Sequence, residues 1–159
     1  MEPNPNSVVV AQEGTFRPAP PDHKTNPTKR HWDAMQVSRI LVVEDEVLVA
    51  LETADLIGEF GLEVVGPAIR LTQAEELARA ENFEFALLDV NLGQGTTSKS
   101  IAGILRERDI PFAFVTAYEP SQIPFLKPGD KVVSKPFSSQ ALREMLDGFG
   151  MFDDDPPAA

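Results

Sequence analysis

Apolar residues along this chain alternate between short continuous runs and stretches of helical spacing. Ile40–Val43 (ILVV) ends abruptly in Glu44, Asp45 and Glu46, the pattern of a strand buried on both faces. From Val47 the apolar positions Val47, Ala50, Leu51, Ala54 and Ile57 recur at helical spacing, and Gly61 predicts the stop. Leu62–Ala68 predicts a second strand, and Thr72 with Glu75 three residues on predicts a capping box for a helix through Glu81. Phe85–Asp89 is a third apolar run ending in a carboxylate. Ser98 or Ser100 opens a helix to Arg108 with Ile101, Ile104 and Leu105 on one face. Pro111–Thr116 and Lys131–Ser134 predict strands four and five. Ser138 then caps a last helix whose buried face is Ala141, Leu142, Met145, Leu146 and Phe149. Repeated strand–helix alternation predicts an α/β fold, a doubly wound five-stranded parallel sheet with helices on both faces. Pro120, Pro124 and Pro128 leave room only for a short or irregular fourth helix before strand five.

The 159 residues amount to about one domain. Six of the 14 prolines lie in residues 1–34, which lack apolar periodicity beyond Val8–Val10. A segment of this kind cannot offset its ordering entropy by burial. The expected organisation is a disordered N-terminal extension over residues 1–37, a domain over 38–150 and a disordered acidic tail over 151–159. A solvated extension is favoured over a docking tail built on Trp32 and the Lys29, Arg30 and His31 cluster, and Met35 offers an alternative start. The absence of cysteine excludes disulfides and thiolate metal sites. The longest apolar run, Val47–Leu51, falls far short of the roughly 20 residues of a membrane span, and the first residues lack the features of a secretory signal. A cytoplasmic protein is expected, with no membrane partner.

Charge sharpens the picture. Residues 1–34 balance four basic against four acidic side chains, so the whole net charge of −11 belongs to the rest of the chain. A domain this acidic repels phosphate backbones, which argues against nucleic acid as a partner. It leaves room for acidic pockets that hold cations.

In doubly wound sheets, ligands bind at the carboxyl ends of the strands, and four of the five predicted strands end there in polar residues. Strand one ends in Glu44 and Asp45, strand three in Asp89, strand four in Thr116, and strand five in Ser134 and Lys135. Singly, each has an ordinary explanation: acids at a helix N-terminus, a turn before Gly93, a strand-end hydroxyl, a solvated lysine. Together they place three carboxylates at one edge, a donor set suited to Mg2+, opposite a hydroxyl and a lysine that hold an anion. A cation, an anion site and a nucleophilic carboxylate are the parts needed to pass a phosphoryl group to aspartate.

The segments VVEDE, LLDVNLG, FVTAY and VSKPF, in this order on these strands, resemble a response regulator receiver domain of two-component signalling over about residues 38–149. The PFAFVTAYEP segment is similar to single-domain receivers of alphaproteobacteria. The resemblance implies a flavodoxin-like receiver fold with Asp89 as phosphoacceptor, Asp45 as a Mg2+ ligand and Glu44 as the second acidic-pair residue, acting through water. It implies that Asn91 offers its backbone carbonyl to the metal, that Thr116 and the Ala117 N–H bond phosphoryl oxygens, and that Lys135 pairs with the phosphoryl group. Lys135 precedes Pro136, where the family's peptide bond is typically cis. The implied partners are a histidine kinase or phosphotransfer protein and a downstream protein, the domain being a monomer or weak dimer. It is implied to be a signalling phosphoprotein, not an enzyme beyond its own phosphorylation and dephosphorylation.

Two positions depart from the pattern. Val132 stands where many receivers carry an aromatic that turns inward on activation, and Tyr118 stands where the family's residue type affects acyl phosphate hydrolysis. Val132 and the proline-rich stretch motivate an alternative, an interaction module with a receiver fold that works without phosphorylation, although the reactive positions are intact. A flavodoxin-like or phosphatase-like enzyme fits less well. Strand one lacks a glycine-rich phosphate loop after it, and Asn91 stands where such phosphatases use a second aspartate.

Overall fold

The unbroken apolar runs become the three central strands. In the computed structural model, which describes residues 37–152, the order is β1 (Arg39–Val43), α1 (Val47–Glu59), β2 (Glu63–Ala68), α2 (Leu71–Ala80), β3 (Phe85–Asp89), α3 (Lys99–Glu107), β4 (Phe112–Thr116), β5 (Lys131–Ser134) and α4 (Ser139–Gly148). All strand pairs are parallel, in the order β2-β1-β3-β4-β5. β1, β3 and β4 are buried almost throughout, whereas the edge strands β2 and β5 alternate or stay half-exposed, as partners on one side or two dictate. Ala74, Ala78, Ile101, Ala102 and Leu105 of α2 and α3 cover one face of the sheet. Ile57 of α1 and Leu142, Met145 and Leu146 of α4 cover the other. Among the described residues no helix is long and apolar enough to cross a membrane.

The expected irregularity between β4 and β5 is present: one 3-10 turn, Pro120–Gln122, stands where a helix would be, and Glu119 and Gln122 cap it reciprocally. Ile123, with Phe125 and Leu126, closes the core there in place of a helix face. Gly61 ends α1 as expected. Its N–H donates to Gly58 O at 3.0 Å, and the Leu62 N–H to Ile57 O at 3.3 Å, a left-handed cap that Gly61 permits at φ 80°. The Ser138 cap also forms, its hydroxyl accepting from the Ala141 N–H at 3.1 Å.

Several expectations need correction. The Thr72–Glu75 capping box does not form. Helix α2 begins at Leu71 after Arg70, so Thr72 lies inside the first turn, and Gln73 accepts the Ile69 N–H instead, at 3.2 Å. Ser98 precedes α3, but its hydroxyl is buried and makes no capping bond. On α1, Val47 and Leu51 are half-exposed and the buried row is Ala50, Thr53 and Ile57; on α4, Ala141 is exposed. The tail does not begin at residue 151. The left-handed Gly150 turns the chain so that Met151 N–H reaches Leu146 O at 3.1 Å, burying Met151 in the core. Phe152 meets Phe60 edge-on at 6.1 Å, and Arg143 lies 4.4 Å over the Phe152 ring. The expected extension over residues 1–37 lies, apart from Val37, outside the described residues, as does the tail from 153.

Candidate functional site

The chain reverses its direction of travel across the sheet between β1 and β3, and the predicted acids meet at the carboxyl ends of those two strands. Val43 pairs with Leu88, so Glu44 and Asp89 follow side by side. A register shift in β2 assists. Gly66, at φ 92°, makes the bulge, and a Cβ there would lie 2.6 Å from Ala68 N. The bulge presents Ala68 O to the Glu44 N–H at 3.0 Å, which fixes the backbone of the first acid.

Oxygens of Glu44, Asp45 and Asp89 lie within 4.8 Å of one another. Glu44 and Asp89 are buried and Asp45 half-buried. Lys135 sits against them: its Nζ donates to Glu44 Oε2 at 2.6 Å and to Asp89 Oδ2 at 3.1 Å. The β4–β5 ladder places it there, because the Lys135 N–H donates to Thr116 O at 2.8 Å, one residue past the strand. The Lys135–Pro136 bond is cis. Burial pushes the Glu44 carboxyl above its ordinary range, with Lys135 opposing and Asp89 reinforcing the shift. Burial alone would lower the Lys135 ammonium, but the bonds to Glu44 and Asp89 prevail and raise it.

Thr116 is buried, and its Oγ1 accepts the Tyr118 N–H at 3.0 Å, which leaves the hydroxyl proton free to donate elsewhere. The Asn91 N–H donates to Asp89 Oδ1 at 3.4 Å, while the Asn91 side chain accepts from Gly93 N–H at 3.0 Å. Ala117 is exposed and lines a cleft with Lys135, Pro136 and Phe137. Tyr118 is 49% exposed. Val132 lies apart from this group, packed into the core on the α2–α3 face.

Two further residues belong to the site, Thr53, which the sequence did not single out, and Gly93, which it marked only as a turn. Thr53 is buried beneath the acids, where it lines a small void with Glu44, Asp89 and Lys135. Its signal was a hydroxyl in the row of Ala50 and Ile57. Gly93, at φ 81°, lets the loop approach so closely that a Cβ would lie 3.1 Å from Asp45 Oδ2.

Residues 40–147 match the family model of the response regulator receiver domain. The chain belongs to this family. Its five-stranded parallel sheet with four helices is the receiver fold, and a receiver domain is a signalling module of two-component response regulation. Among curated proteins, transcriptional regulatory protein PdtaR of Mycobacterium tuberculosis is 30% identical over 86 residues, 54% of this chain and 42% of the relative. Phyllosphere-induced regulator PhyR of Methylorubrum extorquens is 28% identical over 111 residues, 68% of this chain and again 42% of the relative. The receiver thus spans about two-fifths of the length of these relatives. Among solved structures, the receiver domain of Erythrobacter litoralis PhyR is 29% identical with a TM-score of 0.63, covering 79% of this chain and 99% of that one. TrrA of Thermotoga maritima, solved in complex with Mg2+ and BeF, is 26% identical with a TM-score of 0.63, covering 71% and 99%.

Proposed function

We propose that this receiver accepts a phosphoryl group on Asp89 from a histidine kinase or phosphotransfer protein, in a Mg2+-dependent reaction, and so switches the binding of a downstream protein or serves a phosphorelay. The observation that carries this reading is the Lys135 ammonium held between Glu44 and Asp89 inside a cluster of three carboxylates. That cluster is an all-oxygen donor set, as Mg2+ requires. Asp45, Asp89 and the Asn91 carbonyl would hold the ion, with Glu44 acting through water, and its chemistry there is neutralisation of charge on the phosphoryl oxygens. The relative solved with Mg2+ and BeF supports the same assignment.

The remaining work falls to the chain. An Asp89 carboxylate oxygen attacks phosphorus, and the bond from phosphorus to the donor breaks with its electron pair leaving on the donor atom. Lys135 moves from the Asp89 carboxylate to an incoming phosphoryl oxygen, Thr116 donates its free hydroxyl proton in a hydrogen bond to another, and the Ala117 N–H serves a third. The bond from the Tyr118 N–H to Thr116 Oγ1 then ties the segment after β4 to the state of the site, a local charge event with a wider readout.

The test is intact mass after incubation with acetyl phosphate, with and without Mg2+, beside Asp89→Asn. One added phosphoryl group that needs both Mg2+ and Asp89 is expected. Addition that persists in Asp89→Asn would refute the assignment.

A further inference from the structure

A void of ≈ 10 Å³ lies beneath the acids. That is about the space one water molecule needs, roughly 10–15 Å³. Apolar side chains of β1, β3 and β4 supply part of its wall, and the polar part is Glu44, Asp89, Lys135 and Thr53. An apolar cavity of this size stays dry, whereas one met by several polar groups holds a water. Glu44, Asp89 and Lys135 are the charged groups of the reactive site. Thr53 is a neutral hydroxyl on α1, buried at 9% exposure in one row with Ala50 and Ile57. Packing in that row is satisfied by apolar side chains, so the hydroxyl calls for a reason of its own. Thr53, Lys135 and Phe137 also line the outer cleft of ≈ 430 Å³ that includes Ala117. The threonine and the lysine therefore stand together in the wall between void and cleft. The Lys135 ammonium has three N–H donors, of which Glu44 Oε2 and Asp89 Oδ2 take two. One is left for a further acceptor.

We infer that Thr53 is a positioning residue for phosphoryl transfer: its hydroxyl holds one water molecule in the void, and that water accepts the third proton of the Lys135 ammonium. The inference rests on the reading of Asp89 as phosphoacceptor and adds a residue to that site. The water accepts from Thr53 and Lys135 and donates to Glu44 and Asp89, so all four of its hydrogen bonds are made. The row through Ala50, Thr53 and Ile57 docks α1 on the sheet, and the bridge ties the ammonium to that rigid element. Lys135 then keeps one fixed partner while it exchanges the Asp89 carboxylate for an incoming phosphoryl oxygen. Without the hydroxyl, the carboxylates alone hold the ammonium, and it meets the phosphoryl group less well oriented.

The experiment compares wild type with Thr53→Val, which keeps the shape and loses the hydroxyl, and Thr53→Ser, which keeps the hydroxyl and loses the methyl. Valine suits a row flanked by Ala50 and Ile57, so this variant retains the fold. The full chain, labelled with 15N at lysine Nζ and freed of divalent metal, is followed by NMR for exchange of the Lys135 ammonium protons with solvent, the resonance being assigned by its loss in Lys135→Arg. Phosphorylation by acetyl phosphate is followed separately by intact mass at fixed Mg2+. Thr53→Val is expected to speed the ammonium exchange and to slow phosphorylation, each about fivefold, the scale of one hydrogen bond, with Thr53→Ser within about twofold of wild type in both. A packing role predicts the opposite order, with valine tolerated and serine not. The inference is overturned if Thr53→Val matches wild type in either measurement, or if Thr53→Ser fails alongside it. A wild type that takes up no phosphoryl group overturns the phosphoacceptor reading and with it the role in transfer, while the ammonium exchange, measured without any donor, still decides whether Thr53 holds Lys135.

Discussion

The Lys135 ammonium nitrogen lies 2.6 Å from Glu44 Oε2 although 91 positions of chain separate the two residues. Glu44 follows the central strand β1, and Lys135 follows the edge strand β5. The pair spans the mouth of the sheet, and Asp89 sits at its middle as the second acceptor of the same ammonium. Any cation or phosphoryl group that enters must compete with this pairing, so the resting site is held in a defined arrangement before it reacts.

The pairing has a pH signature in protein freed of divalent metal. Glu44 is raised by burial above 4.5, so its protonated form favours the native state. The stability this group contributes is fully present below pH 4.5 and is lost as pH rises through its native value. Lys135 is raised above 10.5, so its contribution is complete below pH 10.5 and is lost only at higher pH. Urea unfolding of wild type and Glu44→Gln across pH 4.5 to 8 is expected to show wild type losing stability relative to the variant as pH rises. A difference that stays flat would mean that Glu44 is not held in this way.

Gly66 and Gly103 should respond to alanine in opposite directions. At Gly66, φ is 92° and the new Cβ would meet Ala68 N at 2.6 Å, so Gly66→Ala should cost about 2 kcal/mol and disturb the Ala68 carbonyl that fixes Glu44. Gly103 lies inside α3 with nothing within 4 Å of a Cβ; Gly103→Ala should stabilise by about 0.5–1 kcal/mol through helix propensity. Urea midpoints measure both.

The contrast shows what the sequence could and could not disclose. The buried strands announced themselves, because β1, β3 and β4 have no solvent face and so no polar interruption. The carboxyl-end residues Glu44, Asp89, Thr116 and Lys135 were legible because each ends an apolar run. Thr53 was not, since a hydroxyl on a helix gives no sign of facing an acid until the helix is docked. Thr72 misled for a related reason: a capping box depends on which residue takes the extended backbone before the first turn, and here that is Arg70. Val47 and Leu51 share the apolar spacing of Ile57, but the row that α1 buries runs through Ala50, Thr53 and Ile57.

Asp130 is the fastening of the segment that replaces a fourth helix. Its Oδ2 accepts from Arg106 Nη2 at 2.6 Å and from Lys127 N–H at 2.8 Å, and Arg106 in turn lies 5.3 Å over the Phe112 ring. Asp130→Ala removes both bonds and should cost about 1–3 kcal/mol, as loss of partly buried charge-assisted bonds does. Hydrogen exchange should localise the change, with residues 117–130 losing protection while β1 and β3 keep theirs. Uniform loss of protection across the sheet would assign Asp130 to the global core instead.

Met151 and Leu48 reverse what their positions in the sequence suggest, and a paired substitution tests the reversal. Met151 lies beyond the last helix in a stretch that reads as tail, yet it is only 8% exposed and packs with Leu142, Met145 and Leu146. Leu48 lies in a continuous apolar run, yet it is 76% exposed on α1. Truncating a buried methionine removes its transfer energy and leaves a cavity, so Met151→Ala should cost about 2 kcal/mol or more. Truncating an exposed leucine on a helix does neither, and Leu48→Ala should stay within about 0.5 kcal/mol of wild type. Thermal and urea unfolding of the two variants decide the matter. Equal and small effects would show that the chain after Gly150 does not pack as described, and a large loss at Leu48 would show that α1 buries a face other than Ala50, Thr53 and Ile57.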